Sequence, residues 1–189
     1  MTKVSRLLML HAVGCIVGLM GAADWADGAP TVWIGPTISF SKPSGANHTL
    51  PANQDPLTTN VALTRGNSQG MINILGEASF TASSPAGTLW ATALNNPLDT
   101  IAATNWAALD FTTWTAAYAN SVGTNILNHN AVVHLVTDDV YLDLRFTNFQ
   151  GGGSGGAFAY QRSTPVPEPT TGSLALLSLG MLLRRQSRR

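Results

Sequence analysis

Residues 131–149 carry the pattern that most restricts how this chain can fold. The stretch from Val132 to Val136 is largely apolar and is predicted to be buried, and Asp138 and Asp139 then interrupt it. Beyond the aspartates the residues alternate, with Val140, Leu142, Leu144 and Phe146 apolar and Tyr141, Asp143, Arg145 and Thr147 between them. A period of two places alternate side chains on opposite faces of a strand, and Asp tolerates the left-handed backbone of a tight turn. The stretch predicts a β-hairpin with a two-residue Asp-Asp turn, one apolar face and one polar face.

Short strands separated by polar turns are predicted elsewhere in residues 30–163. The predicted strands are Thr31–Ile34 continuing as Thr37–Phe40, Val61–Thr64 and Ala157–Arg162. Pro36 interrupts the first of these, which favours an edge strand or a bulge. Apolar spacing predicts one helix at Gln69–Glu77, and β-branched and aromatic residues favour a strand at Phe111–Tyr118. Together these elements predict an all-β fold, an antiparallel β-sandwich or jelly-roll-like domain.

Charge separates the two ends of the chain from its middle. Six of the ten basic residues lie in the ends, whereas residues 30–164 hold four basic and seven acidic side chains, a net charge of −3. A mildly acidic domain argues against a nucleic-acid partner, which requires a basic surface. The single cysteine, Cys15, excludes a disulfide framework and a cysteine-rich zinc site.

Residues 1–28 have the composition of a secretory signal peptide. Lys3 and Arg6 precede a stretch without charge from Leu7 to Met20, and small residues follow it. A signal peptidase requires small side chains before the cut, so cleavage is predicted after Ala23 or after Gly28. The segment predicts that the secretion machinery exports the chain. An uncleaved membrane anchor is the alternative interpretation, although the apolar run is short for a span of ~20 residues.

Residues 164–189 join three different segments in a fixed order. Val166, Pro167, Glu168 and Pro169 form an extended motif, an apolar run covers Ser173–Leu183, and four basic residues follow at Arg184, Arg185, Arg188 and Arg189. This tail resembles the PEP-CTERM sorting signal of Gram-negative bacteria. The resemblance implies transient tethering in the inner membrane, processing by an exosortase, and a place among the surface proteins of exopolysaccharide-forming, biofilm-forming bacteria.

The length of the tail's apolar part favours a signal that is read and then removed. The 14 residues from Thr170 to Leu183 would form a helix about 21 Å long, shorter than a bilayer core of about 30 Å. The four arginines would remain on the cytoplasmic side. A permanent tail anchor stays as the alternative.

The middle of the chain also resembles a family of uncharacterised bacterial secreted domains. The matching stretches are Leu63–Gly66 with Gln69-Gly70, Ser84–Thr88 with Trp90-Ala91, His134-Leu135 with Asp138, Asp139 and Asp143, and the glycine-rich loop with Phe158–Tyr160 and Arg162–Thr164. This resemblance implies an exported β-domain in front of a sorting signal, and it implies no chemistry.

Candidate ligand-binding residues are few. Trp106 and Trp114 lie in a Thr- and Asn-rich region and are predicted to be exposed, where aromatic rings can stack on sugars. Asp138 and Asp139 are the candidate ligands for calcium, and no other cofactor is predicted. No catalytic residue is predicted. A hydrolase would pair one acid of the cluster Asp138, Asp139 and Asp143 with an acid from elsewhere, and the sequence leaves Glu77, Asp99 and Asp110 open as that partner.

The sequence therefore predicts an exported, non-catalytic protein of the cell surface or extracellular matrix. Its role is predicted to be structural or adhesive, with exopolysaccharide among its partners. The alternatives are a polysaccharide-binding module, with calcium assisting, and a carbohydrate-active hydrolase.

Overall fold

Short strands carry most of the regular structure in this computed structural model, which describes residues 29–81, 83–127, 129–151 and 153–167. The strands are β1 (Thr31–Trp33), β2 (Ile38–Lys42), β3 (Asp55–Pro56), β4 (Ala62–Arg65), β5 (Met71–Asn73), β6 (Thr88–Thr92), β7 (Asn130–Leu135), β8 (Val140–Phe149) and β9 (Phe158–Arg162). The helices are α1 (Trp114–Ala117), α2 (Val122–Asn125) and two 3-10 helices, Pro51–Asn53 and Ala103–Ala108. Within the described ranges, no helix has the length and apolar character needed to cross a membrane.

The strands form two sheets, which confirms the predicted all-β sandwich. The large sheet has the order β2-β9-β8-β7-β6, and the small sheet has the order β3-β4-β5. All neighbours on these paths are antiparallel. The sixth strand of the large sheet, β1, runs parallel to the first residues of β8, with Thr31 opposite Val140. The segment predicted as one interrupted strand thus becomes two strands with different neighbours, and β2 is an edge strand as predicted.

The predicted hairpin is present as β7 and β8, with Leu135 paired to Val140. Its connection has four residues, Val136 to Asp139, instead of the predicted two. Val136 is exposed, so the expectation that it is buried is wrong. Asp139 has a φ of 48°, the left-handed conformation expected of an aspartate in this turn. The four alternating apolar residues of β8 are buried, as their spacing predicts.

The main hydrophobic core lies between the two sheets. The small sheet contributes Leu63 and Met71, and the large sheet contributes residues that include Leu142 and Phe146. The ring of Phe146 stacks near Trp90, with centroids 6.3 Å apart. We call the face of the large sheet that lines this core the inner face, and the opposite face the outer face. The outer face is partly covered by residues 98–111, named here the outer segment, through a smaller apolar cluster.

A buried ion pair links the two sheets. The guanidinium of Arg162 on β9 donates from Nε and Nη2 to the two carboxylate oxygens of Asp55 on β3, at 2.7 and 2.8 Å. The hydroxyl of Tyr160 donates to Asp55 Oδ2 at 2.8 Å. Burial of such charges is tolerated because each carboxylate oxygen has a donor.

The helix predicted at Gln69–Glu77 is wrong, because residues 71–73 form β5. Asn73 fixes this arrangement, since its Oδ1 accepts the N–H of Ala62 at 3.0 Å and its Nδ2 donates to the carbonyl of Asn60 at 2.9 Å. The apolar spacing suited a helix, but Leu75 is exposed and does not share a buried face with Met71.

The strand predicted at Phe111–Tyr118 is also wrong. Only Thr112 pairs, by an isolated antiparallel bridge to Trp90 on β6. Helix α1 begins at Trp114, after which Tyr118 is fully buried in the main core. A helical turn brings Trp114, Ala117 and Tyr118 into the core together, whereas a strand would have placed Ala117 and Tyr118 on opposite faces.

Candidate functional site

A groove of about 400 Å³ crosses the outer face of the large sheet. Its floor includes Asn130 on β7, Arg145 on β8 and Gln161 on β9. The register places Asn130 opposite Arg145, and Arg145 opposite Gln161. Because neighbouring strands lie about 4.8 Å apart, the three residues form a row about 10 Å long across the sheet. All three are exposed, so the row presents a guanidinium between two amides to solvent.

Arg145 carries a charge that no acid of the described residues neutralises at close range. The ion pairs within those ranges join His134 to Asp139 and Arg162 to Asp55, and neither involves Arg145. The five N–H donors of a guanidinium can therefore be offered to a ligand at this point of the groove.

Asp143 lies two residues before Arg145 on the same face of β8 and also lines the groove. Its Oδ1 accepts the backbone N–H of Ala103 in the outer segment at 2.7 Å. Its own N–H donates to Ser163 Oγ at 3.0 Å. Burial raises the pKa of the Asp143 carboxyl, and the hydrogen bond from Ala103 opposes that rise in part. The groove thus contains a carboxyl that is protonated more easily than an exposed one.

The groove continues into a second cavity of about 250 Å³. Ile101, Asn130 and Arg145 line both cavities, and Asp99 and His129 line only the second. The outer segment therefore forms a wall of one groove that continues from the first cavity into the second. The acid Asp99 lies farther along it than Asp143.

Aromatic side chains adjoin the groove on the same face. Trp106 of the outer segment stacks on Tyr141, with ring centroids 4.6 Å apart. The other side of the cluster is formed by Phe111 and His134, whose centroids lie 5.4 and 4.2 Å from that of Tyr141. Since Tyr141, Asp143 and Arg145 alternate along β8, one strand face carries an aromatic ring, an acid and a base in succession.

The two tryptophans predicted to be exposed have different surroundings. Trp114 is buried in the main core, with its ring edge-on to Phe80 at 5.7 Å, so the prediction is wrong for this residue. Helix α1 turns the side chain inward, and the surrounding Thr and Asn residues do not reveal this. Trp106 is half-buried and its ring stacks on Tyr141, but it is not among the residues that line the groove. The prediction that it contacts a ligand stays a prediction from the sequence.

The aspartates predicted as calcium ligands are already engaged by protein groups. Asp138 accepts hydrogen bonds from Thr58 Oγ1 at 2.6 Å and from Asn60 Nδ2 at 2.7 Å. Asp139 Oδ1 lies 3.1 Å from Nε2 of His134. In the part of the chain that the structure describes, no three His, Cys, Asp or Glu side chains are grouped so as to hold a metal ion. Calcium therefore stays a prediction from the sequence.

The sorting motif lies at the end of the described residues. Val166 and Pro167 are exposed and belong to no strand or helix. Glu168 and Pro169, the apolar run and the four arginines Arg184, Arg185, Arg188 and Arg189 lie outside the described residues, as does the predicted signal peptide.

No family model, curated protein or solved structure matches the chain. Its function is therefore inferred from its own sequence and geometry. The sequence pattern placed Asp143 and Arg145 on one polar strand face and indicated Asp143 as a candidate acid of a hydrolase, but it gave Arg145 no role. Asn130 and Gln161 carried no signal at all, because only the strand register brings them beside Arg145.

Proposed function

We propose that this chain is an exported, non-catalytic surface or extracellular-matrix protein that binds polysaccharide through the groove on the outer face. The observation that carries the proposal is the row of Asn130, Arg145 and Gln161 across three strands, exposed along the groove. An extended polymer can lie along such a row and contact each strand in turn. The sorting tail supports delivery to the place where such polymers accumulate.

The chemistry of the groove suits hydroxyl groups. Amides and a guanidinium donate hydrogen bonds to sugar oxygens, and the carboxyl of Asp143 can accept them. Trp106 lies outside the groove lining, packed on Tyr141, so the proposal rests on the polar row and on Asp143. The acids Asp99 and Asp143 line the same groove as Arg145, which favours an uncharged polymer over an acidic one.

The binding test uses the purified full chain and exopolysaccharide from its source organism, in a co-sedimentation assay with and without calcium. We expect saturable binding that Arg145→Ala weakens about tenfold to a hundredfold, since hydrogen bonds to a charged group contribute about 1.5–3 kcal/mol. Gln161→Ala should weaken it less. Thr147→Ala, on the same strand but outside the groove lining, is the matched control. Equal losses in all three variants, or no binding by a folded chain, would contradict the proposal.

A carbohydrate-active hydrolase is the second candidate function. It is favoured by the raised pKa of Asp143 and by the presence of Asp99 farther along the same groove. A hydrolase of this type needs one protonated and one ionised carboxyl beside the bound sugar. Release of reducing ends by the wild type, lost in Asp143→Asn while binding persists, would replace the binding module with an enzyme. Binding without any release supports the non-catalytic proposal.

Delivery to the surface is proposed to depend on the tail. An exosortase would read Val166 to Pro169 while the apolar run is held in the inner membrane. Replacing Pro167 and Glu168 with alanine should therefore leave an unprocessed, membrane-retained chain. Cell fractionation and intact mass measure the outcome, and an unchanged location and size would contradict this part of the proposal.

A further inference from the structure

The chain leaves the domain at a fixed point. After β9, the carbonyl of Thr164 accepts the N–H of Gly35 at 2.8 Å, and Thr164 Oγ1 donates to the carbonyl of Pro36 at 2.7 Å. A Cβ on residue 35 would lie 2.7 Å from the Thr164 carbonyl oxygen and closer still to Pro165, so the approach requires glycine. The root of the tail is therefore attached to the connection between β1 and β2. We call residues 34–38 and 164–166 the exit corner.

The exit corner exposes large apolar side chains. Ile34 is 61% exposed, Val166 is 56% exposed and Ile38 is 41% exposed. Exposed apolar residues are ordinary when scattered, but these three lie within a few residues of one backbone contact, Gly35 with Thr164.

The same corner has no ionisable side chain. Residues 29–41 and 163–167 contain no Asp, Glu, Lys, Arg or His, although residues 30–164 as a whole carry a net charge of −3. A surface without charges can approach an apolar medium without the cost of removing water from ions. The acidic remainder would be repelled by anionic lipid headgroups.

The sequence beyond the described residues limits how far this corner can stand from a membrane. The apolar run of the tail begins at Ser173, six residues after Pro167. Six residues span at most about 20 Å when fully extended. While the run occupies a bilayer, the exit corner must stay within that distance of its surface.

We infer that the exit corner is a membrane-facing surface, which seats Ile34, Ile38 and Val166 in the interface of a lipid bilayer before the tail is processed. This inference rests on the proposed function, because it takes the tail to be membrane-tethered. Shallow burial of a few apolar side chains gives weak, reversible attachment, which would orient the domain and hold its sorting motif near the bilayer. Cutting the tail would then release the domain.

The test places a fluorophore at single positions of the exported chain with its tail intact, in a Cys15→Ser background. Labels at Ile34→Cys and Ile38→Cys probe the exit corner. Leu75→Cys and Leu94→Cys are the controls, with 57% and 40% exposure, and they follow β5 of the small sheet and β6 at the opposite edge of the large sheet. Each labelled chain is reconstituted in vesicles of phosphatidylethanolamine and phosphatidylglycerol, and quenching by aqueous iodide is measured.

We expect iodide quenching at positions 34 and 38 to fall several-fold on reconstitution, with quenching at 75 and 94 unchanged. Vesicle flotation and the thermal unfolding midpoint of each labelled chain confirm that it is tethered and folded. Flotation with equal quenching at all four positions would overturn the membrane-facing corner alone. Failure to float with the vesicles would overturn the tether as well, so the two proposals fail in distinguishable ways.

Discussion

The two faces of β8 differ in what their side chains contact, although they belong to one strand. On the inner face, Leu142, Leu144 and Phe146 are fully enclosed by the main core. On the outer face, Tyr141 is covered by Trp106 of the outer segment, whereas Arg145 is exposed. Coverage on the outer face thus ends part-way along the strand, and the groove begins where it ends.

This difference separates residues that stabilise the domain from residues available for binding. Apolar burial is the dominant favourable term in folding, so the inner face carries most of the stability. A polar side chain that stays exposed to solvent reduces the free energy of unfolding very little, and it is free to bind a ligand. The variants below test that division, from the largest expected effect to the smallest.

The first prediction concerns Phe146, whose ring contacts several aromatic residues of the main core. Phe146→Ala should lower the free energy of unfolding by ~3–5 kcal/mol, because it removes buried area and leaves a cavity. Urea denaturation measures the change. The next residue supplies the control, since Thr147→Ala should remain within about 0.5 kcal/mol of the wild type. Equal losses at the two positions would remove the distinction between the faces.

The second prediction concerns the ion pair between the sheets. Asp55→Asn should destabilise the domain by about 3 kcal/mol, since it leaves the buried guanidinium of Arg162 without a counter-charge. The double variant Asp55→Leu with Arg162→Met removes both charges and should recover much of that loss, again in urea titrations. If the double variant is no better than the single one, packing rather than charge explains the effect.

The third prediction compares the two tryptophans. Trp114→Ala should cost ~3–5 kcal/mol because the ring lies in the main core. Trp106→Ala should cost only ~1–2 kcal/mol, because its ring is half-buried on the outer face. Thermal unfolding of both variants measures the difference. A larger loss at Trp106 would show that the outer segment contributes more to stability than its burial indicates.

The smallest expected effect is the pH dependence contributed by Asp143. Burial raises the pKa of Asp143 in the folded chain above its ordinary value, so between the unfolded and the folded pKa the folded chain binds more protons than the unfolded chain. Stability should therefore decrease slightly as pH rises through that window. Asp143→Asn should abolish this part of the slope, measured as the unfolding midpoint against pH. A slope of the opposite sign would mean that the folded state favours the ionised carboxyl.

Patterns within one element predicted the fold better than patterns that needed distant partners. The alternation in β8 identified its two faces, because period two follows from strand geometry alone. The spacing of Met71, Ile74 and Leu75 is compatible with a helix as well as with a strand. The segment forms a strand because it pairs with β4, an arrangement that Asn73 stabilises by accepting a hydrogen bond from the Ala62 N–H. Trp114 was placed on the surface because its polar neighbours gave no sign of the helical turn that buries it.

The groove was beyond prediction for a related reason. Its floor takes residues from each of three strands, and its wall comes from the outer segment, about 40 residues before Asp143 in the chain. A single sequence gives no information on which strands are neighbours or in which register. The polar face of β8 could be predicted, but the row that it completes with Asn130 and Gln161 could not.

The pairing of the first two strands has a consequence for the order in which the protein can form. β1 and β2 are synthesised first, yet their partners are β8 and β9, with Thr31 opposite Val140 and Ile38 opposite Arg162. Contacts this distant in sequence form slowly, because a long loop must close first. The N-terminal strands must therefore stay unpaired until almost the whole domain has been made. The large sheet can therefore be completed only when β9, the strand next to the root of the tail, is available for pairing.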